Sequence, residues 1–161
     1  MIELMTIGYE ALTPVDFFGI LERCRVSMLV DVRELPISRK PKFAKAALSA
    51  IAEARNIQYE HISALGCPRD IRHDYREDQN WGLYTRRFNA YIETQTEALE
   101  VLARWMKKKR CCLLCYEENF NFCHRSIVAE KVAANFEEDV KINHLTGPIA
   151  GRVVWKRLAT V

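Results

Sequence analysis

The sequence predicts a single α/β domain, built in three layers from a mostly parallel sheet of about five strands with helices on both faces. Three observations predict it. Strand and helix patterns alternate along nearly the whole chain. The clearest strand segments are continuous apolar runs, as in strands covered on both sides, rather than alternating ones. The 161 residues are 49% hydrophobic and 28% charged, with no linker, low-complexity tract or repeat to mark a boundary, so residues 1–161 are read as one domain that buries roughly two thirds of its unfolded surface.

Leu4 to Tyr9 reads as a buried strand. Thr13 followed by Pro14 and Asp16 supplies an N-cap and a proline in the first helical position, and the helix runs to about Arg25 with Phe17, Phe18, Leu21 and Cys24 on one stripe. Met28 to Val32 is a second strand that breaks into charge at Asp31, Arg33 and Glu34. A basic loop punctuated by Pro36 and Pro41 leads into an alanine-rich helix from Lys42 to Asn56, then a more polar third strand from Ile57 to Ile62. Gly66 to Gly82 reads as an irregular, charged binding loop. Leu83 to Lys109 supports one long helix with Phe88, Ile92, Leu99 and Leu102 inward. Cys111 to Tyr116 is the most apolar strand and is expected at the centre of the sheet. A helix opens near Cys123 and continues through Phe136, and Val140 to His144 closes the pattern as a last strand.

Composition excludes several classes. No stretch is apolar enough to cross a bilayer, and Met1 to Glu10 lacks the basic start and apolar core of a signal peptide, so a cytoplasmic protein with no membrane partner is expected. Six cysteines in that compartment read as thiols rather than disulfides. A formal charge of +3 does not by itself imply nucleic acid.

In open parallel sheets ligands bind beyond the carboxyl ends of the strands. That rule selects Tyr9 and Glu10 after the first strand, Asp31 and Arg33 at the second, His61 at the third, Cys115 and Glu117 at the fourth, and Cys123, His124 and Arg125 at the following helix. Asp31 with Arg33, and Cys115 with Glu117, are spaced to share a face. Arginines near a helix N-terminus make a field that attracts phosphate or carboxylate, and a cysteine there has its pKa lowered. Each feature also has a purely structural reading: a salt bridge locking a strand end for Asp31 and Arg33, a capping turn for Cys123 to Ser126.

Two sharper ideas fail on spacing. A cysteine-dependent phosphatase needs its arginine on a loop wrapping the phosphate, whereas Arg125 follows Cys123 by two. Cys112 and Cys115, read as a C-x-x-C zinc pair with Cys123 and His124 nearby, face opposite sides of a strand, so no metal or other cofactor is expected. Arg69, Arg72, Arg76, Arg86 and Arg87, interleaved with Tyr75, Trp81, Tyr84 and Phe88, suit a nucleic-acid backbone and stacked bases. Asp70, Asp74, Glu77 and Asp78 dilute that field, which favours a solvated loop anchored by its aromatics.

The segments TIGYEALTPVDFF, LVDVRELPISRKPKF, IQYEHISALG and CYEENFNFCHRSIVAE resemble the signature stretches of the bacterial family known as domain of unknown function 488. The likeness spans Thr6 to about Leu145. It implies an α/β domain whose shared motifs include Gly8-Tyr9-Glu10, Asp31-Val32-Arg33, Ser38-Arg39, His61, Leu65-Gly66, Cys115, Glu117 and Cys123-His124-Arg125, and it implies no settled activity. Cys67 stands where the family pattern usually has a second glycine.

The expectation is an enzyme acting on an anionic substrate, a nucleotide or nucleic acid, by hydrolysis or group transfer. Tyr9, Glu10, Arg33, Ser38, Arg39, His61, Cys115 and Arg125 are the expected binding residues. Asp31 or Glu117 is the expected general base, His124 a proton donor and Cys123 an optional nucleophile. The alternatives are a non-enzymatic nucleic-acid-binding or adaptor protein and a cysteine-based redox or metal sensor.

Overall fold

Strand β1 (Ile2–Gly8) is apolar and buried from Leu4 onward, as a strand covered on both faces should be. Helix α1 (Pro14–Arg23) starts as its sequence requires: the Thr13 hydroxyl accepts the Asp16 N–H at 3.1 Å and Pro14 takes the first turn. Strand β2 (Met28–Asp31), helix α2 (Lys45–Ala54) and strand β3 (Gln58–His61) follow. Three helices, α3 (Arg69–Asp78), α4 (Trp81–Glu93) and α5 (Thr96–Lys108), precede strand β4 (Cys111–Cys115), every residue of which is buried. Helix α6 (His124–Ala134) leads to strands β5 (Val140–Ile149) and β6 (Arg152–Arg157). This computed structural model describes residues 1–149 and 152–157.

The strands form one sheet in the order β3-β2-β4-β1-β5-β6. The first five are parallel and β6 pairs antiparallel with β5. A mostly parallel sheet of about five strands, with β4 in its interior, is therefore what forms. The antiparallel β6 was not expected from the sequence.

Alternate residues of the strands feed two separate cores. Leu4, Met28, Val30, Leu113 and Cys115 pack against α3 to α6, whereas Met5, Ile7, Leu29, Cys112 and Leu114 pack against α1 and α2. Helices thus cover both faces, and Cys112 and Cys115 lie on opposite sides as their spacing dictates.

Two segments differ from expectation. The helix foreseen from Leu83 to Lys109 is two helices, broken at Thr94-Gln95. The Thr94 hydroxyl donates to the Tyr91 carbonyl at 2.6 Å and the N–H groups of both residues close back on Tyr91 and Ile92, so the threonine competes with helix continuation. The loop foreseen from Gly66 to Gly82 contains α3. Its helical face had been masked by charge, because Arg72, Tyr75, Arg76 and Gln79 follow helical spacing with only Ile71 buried.

This topology makes one crevice. β1 and β2 lead to helices on one face, while β4, lying between them, leads to α6 on the other. The chain diverges at the carboxyl end of β4, the topological switch at which open α/β sheets bind ligands.

Candidate functional site

A cavity of about 650 Å³ lies at that divergence. Its floor is the end of β4, with Cys115, Tyr116 and Glu117, joined by His124 from the first turn of α6. One wall comes from the loop after β2, with Arg33, Ser38, Arg39 and Lys40; the other comes from α3 and α4, with Arg72, Tyr75, Arg76, Trp81 and Tyr84. Leu35, Ile37, Tyr116 and Phe122, all exposed apolar side chains, also line it. Exposed apolar surface collected in one place marks a binding site more often than chance.

The floor is built by a close backbone approach. A Cβ on Gly8 would collide with the Glu117 carbonyl, so only glycine lets β1 pass there. Beyond the strands, Tyr9 and Glu10 donate their N–H groups to the carbonyls of Cys115 and Tyr116, at 3.3 and 2.9 Å. The Glu10 carboxylate accepts the Glu118 N–H at 3.1 Å, and the Lys40 ammonium donates to the carbonyls of Tyr9 and Glu10.

Of the sequence-predicted residues, Tyr9, Glu10, Arg33, Ser38, Arg39, Cys115, Glu117 and His124 line the cavity, whereas Asp31, His61, Cys123 and Arg125 do not. Asp31 is sealed. Its carboxylate accepts the Arg33 backbone N–H at 3.1 Å, the Arg33 Nε–H at 2.9 Å, an Arg33 Nη2–H at 2.6 Å and the Tyr59 hydroxyl. Those contacts and full burial leave it no route to a substrate as a general base. Arg33 is committed in turn: beside the Asp31 fork, its Nη1 donates to the Tyr9 hydroxyl at 3.1 Å and the Phe43 carbonyl at 2.8 Å. The salt-bridge reading of this pair is therefore the one the geometry carries. His61 lies within 2.7 Å of the Arg33 carbonyl, bracing the same strand end rather than facing the cavity.

Arg125 also differs from expectation. It is fully buried and donates to the Thr6 hydroxyl at 3.2 Å and to the carbonyls of Glu117 and Glu118. It shapes the floor from beneath and has no face toward the cavity, so its predicted role in holding an anion is replaced by one in positioning Glu117.

Cys123, beneath the floor, joins a compact polar cluster. Glu117 Oε2 lies 3.3 and 3.2 Å from the sulfur atoms of Cys115 and Cys123, and His124 Nδ1 stands 3.7 Å from Cys115 Sγ. His124 Nε2 lies 2.7 Å from the Val32 carbonyl. A carbonyl only accepts, so Nε2 carries a proton and Nδ1 faces the thiols. Burial, reinforced by negative charge at Cys123, pushes the Glu117 carboxyl up to about 7. Burial alone would raise the Cys123 thiol, but a hydrogen bond from Cys115 and the charges of Arg125 and His124 outweigh it and hold Cys123 well below its ordinary value. The hydrogen bond to Cys123 and burial hold Cys115 high.

Behind Arg125, His144 is buried and stacked on Phe120 at 3.9 Å, with Nδ1 2.6 Å from the Thr6 hydroxyl. The Nε2 atom has no partner among the described residues. Desolvation, with Arg125 nearby, lowers its pKa from 6.5 to about 4. Between those values the unfolded chain binds a proton that the folded chain refuses. Stability held above pH 6.5 is therefore lost as pH falls toward 4, to the extent of on the order of 3 kcal/mol from this group. Replacing His144 by Phe should flatten the fall in the urea midpoint between pH 6.5 and 4.5 relative to wild type. An unchanged slope would refute the assignment.

The sequence undervalued Arg72, Tyr75, Arg76, Trp81 and Tyr84, which it assigned to a solvated loop. The signal was the spacing of 72, 75, 76 and 79, which places those residues on one helical face. The rings stack along the wall, Trp81 on Tyr84 at 4.6 Å and edge-on to Phe122 at 5.6 Å. Arg72 pairs loosely with Glu34 at 3.8 Å, while Arg39 and Arg76 are exposed and have no ion-pair partner among the described residues.

No described helix is long and apolar enough to cross a membrane. A family model described as domain of unknown function DUF488 matches residues 13–132. Neither the curated proteins nor the solved structures contain a significant match.

Proposed function

We propose that this chain, which belongs to the DUF488 family, is an enzyme that binds an anionic, ring-bearing substrate in the cavity and transforms it by hydrolysis or group transfer. A nucleotide or an unpaired base of a nucleic acid fits that description. The observation carrying this reading is the division of labour around one cavity: two uncommitted guanidinium groups and an aromatic wall face a carboxylate on the floor. Arg39 and Arg76 supply charge for a phosphate, and Trp81 and Tyr75 supply faces on which a base stacks. Glu117 takes the proton of a water as its oxygen attacks the electrophilic centre, and returns it to the departing group as that bond breaks. The free thiols of the cluster suit a reducing cytoplasm.

The test is binding and turnover with adenosine and uridine monophosphates and a short single-stranded DNA. Wild type is expected to convert at least one of them. Glu117→Gln should retain binding and lose turnover by about 10²–10⁴-fold. Arg39→Ala and Arg76→Ala should each weaken binding by about 10-fold or more. Salt-sensitive binding of the DNA with no conversion of any probe would replace the enzymatic reading with a nucleic-acid-binding module. Binding of none of them would end both.

A further inference from the structure

The cluster on the cavity floor has a property that the substrate reading does not use. Cys115 ends β4, Cys123 is the N-cap residue of α6 and His124 begins it, and their ligand atoms, two Sγ and one ring nitrogen, all lie within 4.8 Å of one another. Tetrahedral zinc with bonds of ~2.0–2.3 Å requires its ligand atoms to stand ~3.5–3.8 Å apart. His124 Nδ1 stands 3.7 Å from Cys115 Sγ, already at that spacing, and no pair of the three ligand atoms is farther apart than 4.8 Å. Closure on an ion therefore needs side-chain movements of up to about 1 Å.

We propose that Cys115, Cys123 and His124 bind one zinc ion, with the fourth position left to water from the cavity. Sulfur and imidazole nitrogen are the donors zinc prefers. The surroundings suit it as well. The Nε2–H of His124 is fixed on the Val32 carbonyl, the outer hydrogen bond that orients a ligating histidine and leaves Nδ1 available. Binding displaces the protons still held by the two thiols, and the two thiolates balance the charge of the divalent ion.

Sequence spacing set a metal aside because it paired Cys115 with Cys112, which the sheet puts on the opposite face, although Cys123 and His124 were noted nearby. Cys115, Glu117 and His124 all line the cavity, so the ion would be reached from the substrate side. The fourth position is left to water from that side, with Glu117 Oε2 close by, 3.3 and 3.2 Å from the two sulfur atoms. That is the open position of a catalytic rather than a structural zinc site. The proposal stands independently of which substrate the cavity takes.

The full chain, reduced and stripped with a chelator, is titrated with Co²⁺ and then with Zn²⁺. The expected result is one Co²⁺ per chain, with thiolate-to-cobalt charge transfer and the intense visible bands of a tetrahedral site, all abolished by stoichiometric Zn²⁺. Cys123→Ser and His124→Gln should each weaken binding about 100-fold or more, while Cys24→Ser should bind as wild type. Glu117→Gln should keep both the charge-transfer and the visible bands. Absence of both band sets in the reduced wild type would overturn the site, as would full retention of them in a folded Cys123→Ser protein. No nucleotide is present in these titrations, so a stripped chain that still converts nucleotides and binds no cobalt refutes the zinc site alone. A zinc-loaded chain that converts none refutes only the substrate reading.

Discussion

Arg125→Met is expected to destabilise the fold by about 3 kcal/mol, lowering the midpoint of thermal unfolding by about 6–12 °C. Arg125 is completely buried and its donors meet the Thr6 hydroxyl and the carbonyls of Glu117 and Glu118. Methionine fills much of the volume but donates nothing, so acceptors in the interior lose their partner at about 1–3 kcal/mol each. Removing a buried charge returns part of its desolvation cost, which keeps the loss below the sum. Arg125→Lys keeps the charge but not the fork, and should recover less than half. Urea denaturation of the three proteins reads the effect. A loss under about 1 kcal/mol for the methionine variant would mean that the loop from Glu117 to Glu118 is not held from beneath.

Asp31→Ala should cost about 3–5 kcal/mol, because it leaves the Arg33 charge buried without its counterion and the Tyr59 hydroxyl without its acceptor. The pair at 2.6 Å is nearly inaccessible to solvent on both sides. An apolar double replacement, Asp31→Leu with Arg33→Met, removes both charges together and should recover most of that loss. The coupling energy from the cycle of single and double variants is then large. Equal losses in the double and single variants would show that the network matters through Tyr9 and Phe43 rather than through the ion pair.

These two networks explain where sequence reading succeeded and where it stopped. The strands were legible because Met28 to Val30 and Cys111 to Leu114 are apolar without interruption, and that pattern has few other solutions in an aqueous protein. The caps at Thr13-Pro14 and the emergence of charge at Asp31 were legible for similar local reasons. Spacing also picked out residues that line one cavity, since strand ends in a parallel sheet converge. It could not say which arginine faces the cavity. Arg33, Arg39 and Arg125 are chemically alike, and only tertiary partners decide that Asp31 and the Glu117 carbonyl consume two of them while Arg39 stays exposed. The break at Thr94 and the helix at Arg69–Asp78 were missed because a single hydroxyl bond and a wholly polar face leave little trace in hydrophobic periodicity.

That the hollow at the carboxyl end of β4 is where an anionic, ring-bearing molecule binds can be tested most directly by amide chemical-shift mapping of the labelled chain, titrated with adenosine monophosphate. Saturable shifts are predicted at Arg39, Arg76, Trp81, Tyr116, Glu117 and Phe122. A second basic hollow, lined by Arg23, Arg25, Arg110 and Lys141, lies near the start of the strands, and its amides should not move. Shifts confined to that second hollow, with Glu117 and Arg76 silent, would contradict the placement of the site.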